Sequence, residues 1–319
     1  MKDLEATKGQ QLKWSLLSPE ECLPAACFGP VLSAEDFLGA RLLPWSLQSV
    51  HADRQPPLGW MPKGLLDALV ASLPRAASHQ NLLLQESFRW QGLGPGVFVD
   101  GERLKLFEQH LANVLGRFGW RHEDFALLDR AGLWQGPGLC LERSLFRWLG
   151  LLSESVQLNL RRDDGSIWIA QRAMTKAIDP GLWDAAVAGG LSAGERPNDA
   201  VRRESLEEAG LTNHWHDQIQ RAASAPCMRI GRLVTPPTPP PSSNQSALWP
   251  QWPQWPGLCL HHERVWRFEL TVPNHWQPSA NDGEVMAFQA VRPEAIFSFW
   301  QRGEFNYEAA CASLAPRKA

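Results

Sequence analysis

An α+β protein in two parts is what this sequence predicts, with the division between residues 1–145 and 146–319. Apolar residues recur at helical spacing in some segments and alternate in others, without the steady strand-helix-strand order of a parallel sheet. The order of elements changes after Gly150, where a hairpin signal leads into a strand, a turn and a charged helix. The 319 residues, 44% hydrophobic and 20% charged, are enough for two domains with separate cores.

In the first part, Ala34–Leu43 ("AEDFLGARLL") and Pro62–Leu73 ("PKGLLDALVASL") carry helical spacing, whereas Asn81–Trp90 ("NLLLQESFRW") and Gly96–Asp100 ("GVFVD") read as strands. Arg103–Trp120 holds the strongest amphipathic helix, and Glu142–Leu151 ("ERSLFRWLGL") another. No catalytic constellation is visible there; His110, His122 and Glu123 lack a third converging ligand and read as solvated polar residues.

In the second part, Ser155–Ala173 reads as two strands joined at Asp164-Gly165, a turn dipeptide of hairpins. Pro180-Gly181 marks a turn, and "LWDAAVA" (Leu182–Ala188) one short buried strand. A helix follows, with Pro197 in its first turn and Gly210 at its stop. Residues 234–257 ("VTPPTPPPSSNQSALWPQWPQWPG") lack too many backbone N–H groups for helix or central strand and read as an insertion, with Trp249, Trp252 and Trp255. Leu258–Val272 and Glu284–Val291 read as strands, and "PEAIFSFW" and "NYEAACASL" as closing helices.

Composition narrows the function. A net charge of −3 with scattered basic residues does not suit a nucleic-acid binder or a polybasic membrane anchor. No stretch is long and apolar enough for a membrane span, and the first residues lack the apolar core of a signal peptide, so a cytoplasmic address is expected. Six cysteines without a C-x-x-C pair exclude a zinc knuckle and read as reduced thiols. Sixteen tryptophans against one tyrosine are assigned to packing.

One stretch stands apart, "GGLSAGERPNDAVRRESLEEAGL" from Gly189 to Leu211. On a helix Glu204, Glu207 and Glu208 fall within an arc of roughly 100°, where like charges repel, so something is expected to compensate, and Arg203 is placed to clamp the neighbouring carboxylates. Hard carboxylate oxygens suit Mg²⁺ or Mn²⁺. Ser205, Leu206 and Ala209 point more nearly the other way and are expected to pack. The spacing of Gly189, Glu195, Arg203-Glu204, Glu207-Glu208, Gly210 and the apolar Leu211 resembles the Nudix box, with Ser205 where an aliphatic residue is usual.

That resemblance implies an α/β/α sandwich with a mixed sheet, and hydrolysis of a diphosphate with bound Mg²⁺ or Mn²⁺. It implies Glu204, Glu207 and Glu208 as metal ligands, joined by the carbonyl of Gly189, with Arg203 as the orienting residue and Gly190 beside the substrate. The runs "WIAQRAMTKAIDPGLWDAAVAGG", "HHERVWRFELTVP" and "DGEVMAFQAV" are similar to the thiamine pyrophosphokinase-related Nudix branch, which has an N-terminal domain of unassigned role. This implies a small-molecule diphosphate substrate akin to thiamine diphosphate or its damaged forms. A broader nucleoside or dinucleotide diphosphatase and a non-catalytic ligand sensor are the alternatives. Val187-Ala188 stand where a related isomerase needs a cysteine, so isomerase chemistry is disfavoured. Arg172 and Lys176 are candidates for substrate phosphates, and Glu284, ahead of Glu263, for the general base. His261 and His262, adjacent on a strand, face opposite sides and form no single site.

Overall fold

The computed structural model describes residues 42–47, 57–72, 89–90, 94–95, 97–117, 120–129, 132–176, 179–222, 224–232, 258–280 and 283–314. The segment 234–257 and its tryptophans lie outside the described residues, as do residues 34–41 and 81–88. The chain divides into two compact units. The first takes in described residues between 32 and 152 and between 228 and 262; the second those of 153–227 and 263–319. The fold is α+β, as expected.

In the first unit β1 (Leu42–Leu47) pairs antiparallel with β2 (Gly59–Pro62) and parallel with β5 (Val97–Val99), giving a three-stranded sheet. Helix α1 (Lys63–Ser72) follows β2, a short ribbon joins β3 (Arg89–Trp90) to β4 (Gly94–Pro95), and α2 (Leu104–Leu115) follows β5. The ribbon of β6 (Asp124–Ala126) and β7 (Cys140–Glu142) precedes the short α3 (Leu145–Leu149). The helical spacing read over Ala34–Leu43 fails at its end, where Leu42 and Leu43 begin β1; Pro44 disfavours the helical conformation in the residue before it. Trp45, Met61, Leu65, Phe107 and Leu141 are fully buried in one core. The Trp45 indole donates to the Leu149 carbonyl at 2.8 Å, and a side chain at Gly59 would collide with both groups.

In the second unit β8 (Leu152–Arg162) and β9 (Ile167–Arg172) form the expected hairpin, with Gly165 at φ 81° and Asp164 accepting from the backbone and hydroxyl of Ser166. The strands pair next to the turn, Arg161 opposite Ile167, and then take different partners. The chain from Trp183 to Gly190 supplies both. β10 (Trp183–Ala185) pairs with β9, and β11 (Val187–Gly190) with β8, so the single strand expected at Leu182–Ala188 is two, divided at Ala186.

Helix α4 (Pro197–Ala209) follows, then the short α5 (Asn213–His216), β12 (Gln220–Arg221), β13 (Ala225–Arg232) and β14 (Leu258–Val272). β15 (Val285–Val291), α6 (Pro293–Gln301) and α7 (Tyr307–Leu314) close the unit. The strand order is β10-β9-β8-β14-β12, with β11 also on β8, β15 on β9 and β13 on β14.

Alternation along the strands sorts the two faces. Val156, Leu158 and Leu160 of β8 and Phe268, Leu270 and Val272 of β14 pack with Val201 and Ala209 of α4. Ile167 and Ile169 of β9 pack with Ile296 of α6 and Ala309 of α7 on the other side. The sheet therefore lies between helices. Leu206 is not among the packed residues of α4: it is 47% exposed, whereas Ser205 is buried because its hydroxyl donates to the Arg202 carbonyl at 2.9 Å. His261 and His262 are both buried, and Arg147 Nη2 lies 3.5 Å from His261 Nε2. Among the described residues no helix is long and apolar enough to cross a membrane.

Candidate active site

The charged helix α4 meets β11 residue by residue. Its first turn contains Pro197, and it ends at Gly210, whose left-handed φ of 69° lets the terminal N–H turn back to the Leu206 carbonyl. Glu208 Oε2 accepts the N–H of Ala188 at 2.7 Å. Glu204 lies against Gly189 so closely that a Cβ there would overlap its carboxyl group. Arg203 Nη2 reaches the Gly190 carbonyl at 3.4 Å. Gly189 is thus a steric requirement of the helix above it.

Arg203 gathers the acids. Its Nε and Nη2 take the two oxygens of Glu195 at 3.0 and 3.1 Å, and its Nη1 contacts Glu204 at 2.6 Å and Glu207 at 3.5 Å. The hydrogen bonds that Arg203 donates to Glu195, ahead of the charge of Glu204, hold the guanidinium pKa above its ordinary value in spite of partial burial. Glu207 is 49% exposed, so of the three glutamates only Glu204 and Glu208 are turned to the strand. Burial, then the nearby charge of Glu204, pushes the Glu208 carboxyl well above the ordinary carboxylate range; the Ala188 N–H and Lys176 offset part of this.

Where β10 and β11 part, a small cleft opens. Arg172, Lys176, Asp184, Glu208 and Glu284 line it. Arg172 Nη1 bonds Asp184 at 2.7 Å, and Lys176 forms an ion pair with Glu284. Burial opposes the charge on both members of the first pair: the Asp184 carboxyl is pushed up despite Arg172 and the Ala185 N–H, while Asp184 keeps the Arg172 pKa raised. Arg172, Lys176, Glu208 and Glu284, scattered in sequence, are therefore brought together. Gly189, Gly190, Arg203, Glu204 and Glu207 do not line this cleft. Glu263 is at an odd position of β14 with Val265, which packs with Cys311 and Ala312 of α7, on the face away from α4.

A divalent cation requires hard oxygen donors and room between them. Hard oxygens are present, Gly189 leaves room for Glu204, and a buried carboxylate beside a second one is an electrostatic deficit that a cation fills. Among the described residues, however, no three acidic, histidine or cysteine side chains surround a common point, because Arg203 draws Glu204 and Glu207 to itself. The residues fit the chemistry of Mg²⁺ or Mn²⁺ in kind, with Glu207 on Arg203 and Glu204 and Glu208 against β11.

Residues 154–232 match the family model described as "NUDIX domain". That stretch is a Nudix domain. The box from Gly189 to Gly210 lies within it. Among curated relatives, Nudix hydrolase 20, chloroplastic, of Arabidopsis thaliana is 23% identical over 175 residues, 54% of this chain and 40% of that protein. A Nudix hydrolase of Pseudomonas aeruginosa is 35% identical over 71 residues, 22% of this chain and 42% of that protein. The chain thus spans about two fifths of the length of these relatives. A solved protein of Deinococcus radiodurans aligns at TM-score 0.43 and 20% identity, covering 61% of this chain and 100% of that one.

Two participants were not foreseen from the sequence. Asp184 is buried beside Arg172, and the Ala188 N–H fixes Glu208. An acid inside the apolar run "LWDAAVA" was the available signal for the first, since a buried carboxylate requires a partner. Nothing in sequence could announce the second, because every non-proline residue has an N–H and only the strand register selects one.

Proposed function

We propose that the Nudix domain hydrolyses a small organic diphosphate, with Mg²⁺ or Mn²⁺, to a monophosphate and phosphate. The observation that carries this reading is the seating of Glu208 on Ala188 and Glu204 on the adjacent Gly189, with Glu208 and Ala188 lining a cleft that contains Arg172 and Lys176. Both cations of the cleft already face acids, Asp184 and Glu284, and Glu208 is a further buried carboxyl beyond them. A diphosphate adds negative charge. A divalent cation balances the sum, and when bound it polarises phosphoryl oxygens and neutralises charge on the leaving oxygen.

In this reading Glu204, Glu207, Glu208 and the Gly189 carbonyl hold the cation. Glu207 must first leave Arg203, a small cost for a half-exposed pair. Arg203 holds Glu204 in place, Arg172 offers two parallel N–H groups to a phosphate, Lys176 a point charge, and Gly190 borders the substrate. Glu284 takes the proton from the attacking water. Glu284 is held against Lys176, so base function follows transfer of Lys176 to the substrate phosphate.

Thiamine diphosphate and its oxidised analogues are the first substrates in this proposal, before nucleoside and dinucleotide diphosphates. The domain division at residue 145 and a cytoplasmic address belong to the same proposal. Phosphate release should be measured on thiamine diphosphate, its oxidised forms, ADP-ribose and nucleotide sugars, with Mg²⁺ and with chelator. Turnover that chelator abolishes is expected. Tight binding of one compound without turnover would instead make the domain a sensor. Glu284→Gln is expected to lower kcat by roughly 10²-fold, and unchanged kinetics would remove the base assignment but not the metal ligands.

A further inference from the structure

Beyond the cleft, one group of side chains in the second unit is arranged as a platform. It runs across the sheet from the end of β11. The Leu191 N–H bonds the Glu154 carbonyl at 2.9 Å, placing Glu154 next to Ser155, the strand partner of Gly190. The Glu154 carboxylate accepts from the Trp266 indole N–H at 3.0 Å and from Arg264 Nη1 at 3.4 Å. Arg221, exposed on the two-residue strand β12, lies over the Trp266 ring, its guanidinium carbon 4.2 Å from the centroid. Glu154 and Trp266 share strand parity with Val156 and Phe268, so the group stands on the α4 face of the sheet, the face of Glu204 and Glu208.

This arrangement is more constrained than a surface ion pair. The indole N–H and a neighbouring guanidinium both anchor to one carboxylate, which fixes the ring, and the ring in turn fixes Arg221. An exposed arginine otherwise samples many rotamers, and ordering it carries an entropic cost. A planar cation held over an indole on an exposed residue can take a second ring on its other side. That side suits another planar ring rich in π-electrons, and guanidinium groups stack in this way on nucleobases.

We propose that Arg221, seated on Trp266, is the stacking platform for an aromatic ring in the organic half of the substrate. This rests on the diphosphatase reading above and deepens it: the substrate class is a diphosphate bearing an electron-rich heteroaromatic ring, such as an aminopyrimidine or a purine. Glu154 and Arg264 act as positioning residues for Trp266. A diphosphate without such a ring gains nothing from the platform.

The test compares the purified full chain with Arg221→Ala, Arg221→Lys and Trp266→Leu, in Mg²⁺, on thiamine diphosphate and ADP-ribose as ring-bearing probes and on geranyl diphosphate and inorganic pyrophosphate as ring-free ones. Thermal unfolding verifies that each variant is folded, and Arg221→Lys, an exposed conservative change, keeps the test valid if Trp266→Leu is not. The expected result is a KM raised roughly 10-fold on the ring-bearing probe that wild type turns over, the same in Arg221→Ala and Arg221→Lys, with kcat nearly unchanged and ring-free probes unaffected. Full activity in Arg221→Lys, or equal losses on both kinds of probe, would reduce Arg221 to a steering charge and overturn the platform. Wild-type turnover of ring-free probes alone overturns it while leaving the diphosphatase intact. No turnover of any probe removes the underlying reading and the platform with it.

Discussion

Both units bury glutamates, and they treat them in opposite ways. In the first unit Glu142 is surrounded by donors: it accepts the N–H groups of Arg121 at 2.8 Å, Glu123 at 3.2 Å and Ser144 at 3.5 Å. Its own N–H goes to the buried Glu108 at 2.7 Å, which also pairs with Lys105 at 2.8 Å. These acids tie the loop after α2 to the β6–β7 ribbon. In the second unit Glu208 has the Ala188 N–H and a second carboxylate nearby, and burial raises its pKa. A buried carboxylate supplied with several donors stabilises a fold, whereas one placed next to another acid costs stability and is kept for what it binds.

The sharpest test of that contrast lies in the first unit. Glu142→Ala should cost about 4 kcal/mol in chemical denaturation, since several N–H groups lose their acceptor at once. A loss below about 1 kcal/mol would erase the distinction between the two kinds of acid. Next in size, Glu207→Gln and Glu208→Gln should each reduce turnover at least ~10²-fold in steady-state assays, with the fold retained. Near-normal rates in both would remove the proposed ligands. Asp184→Asn, which weakens the partner of Arg172, should raise KM roughly 10-fold with a smaller change in kcat; an effect on kcat alone would place Arg172 elsewhere in the reaction.

The smallest effect has the opposite sign. In chelator, Glu208→Gln should raise Tm by about 3 °C, equivalent to roughly 1 kcal/mol, because the buried charge is gone. The folded pKa of Glu208 is above its unfolded value, so its favourable contribution is complete below the unfolded value and is lost as pH rises through the folded one. The advantage of the Gln variant should therefore widen from acidic to neutral pH. A wild-type protein that is more stable than the variant at neutral pH would mean that Glu208 belongs with Glu142.

The elements that could be read in the sequence are those whose determinants are local. The Asp164-Gly165 turn, the start of α4 at Pro197 and its end at Gly210 depend on backbone preferences of one or two residues, and all three are where they were expected. Leu42–Leu43 and Leu182–Ala188 depart from their local pattern for different reasons. A proline overrode helical spacing in the first, and in the second a change of strand partner divided an unbroken apolar run.

The sequence by itself determined the charged helix, its acids at fixed offsets and the glycines beneath it, because 3.6-residue periodicity and the missing Cβ of glycine act within a few residues. It did not determine that Glu207 would turn to Arg203 while Glu204 and Glu208 turn to the strand. Nor did it pair Arg172 with Asp184 and Lys176 with Glu284, or lay Arg221 on Trp266. Those choices depend on which strands become neighbours. Register and burial across the sheet set the distances between charges, and distance and desolvation decide what each charge does.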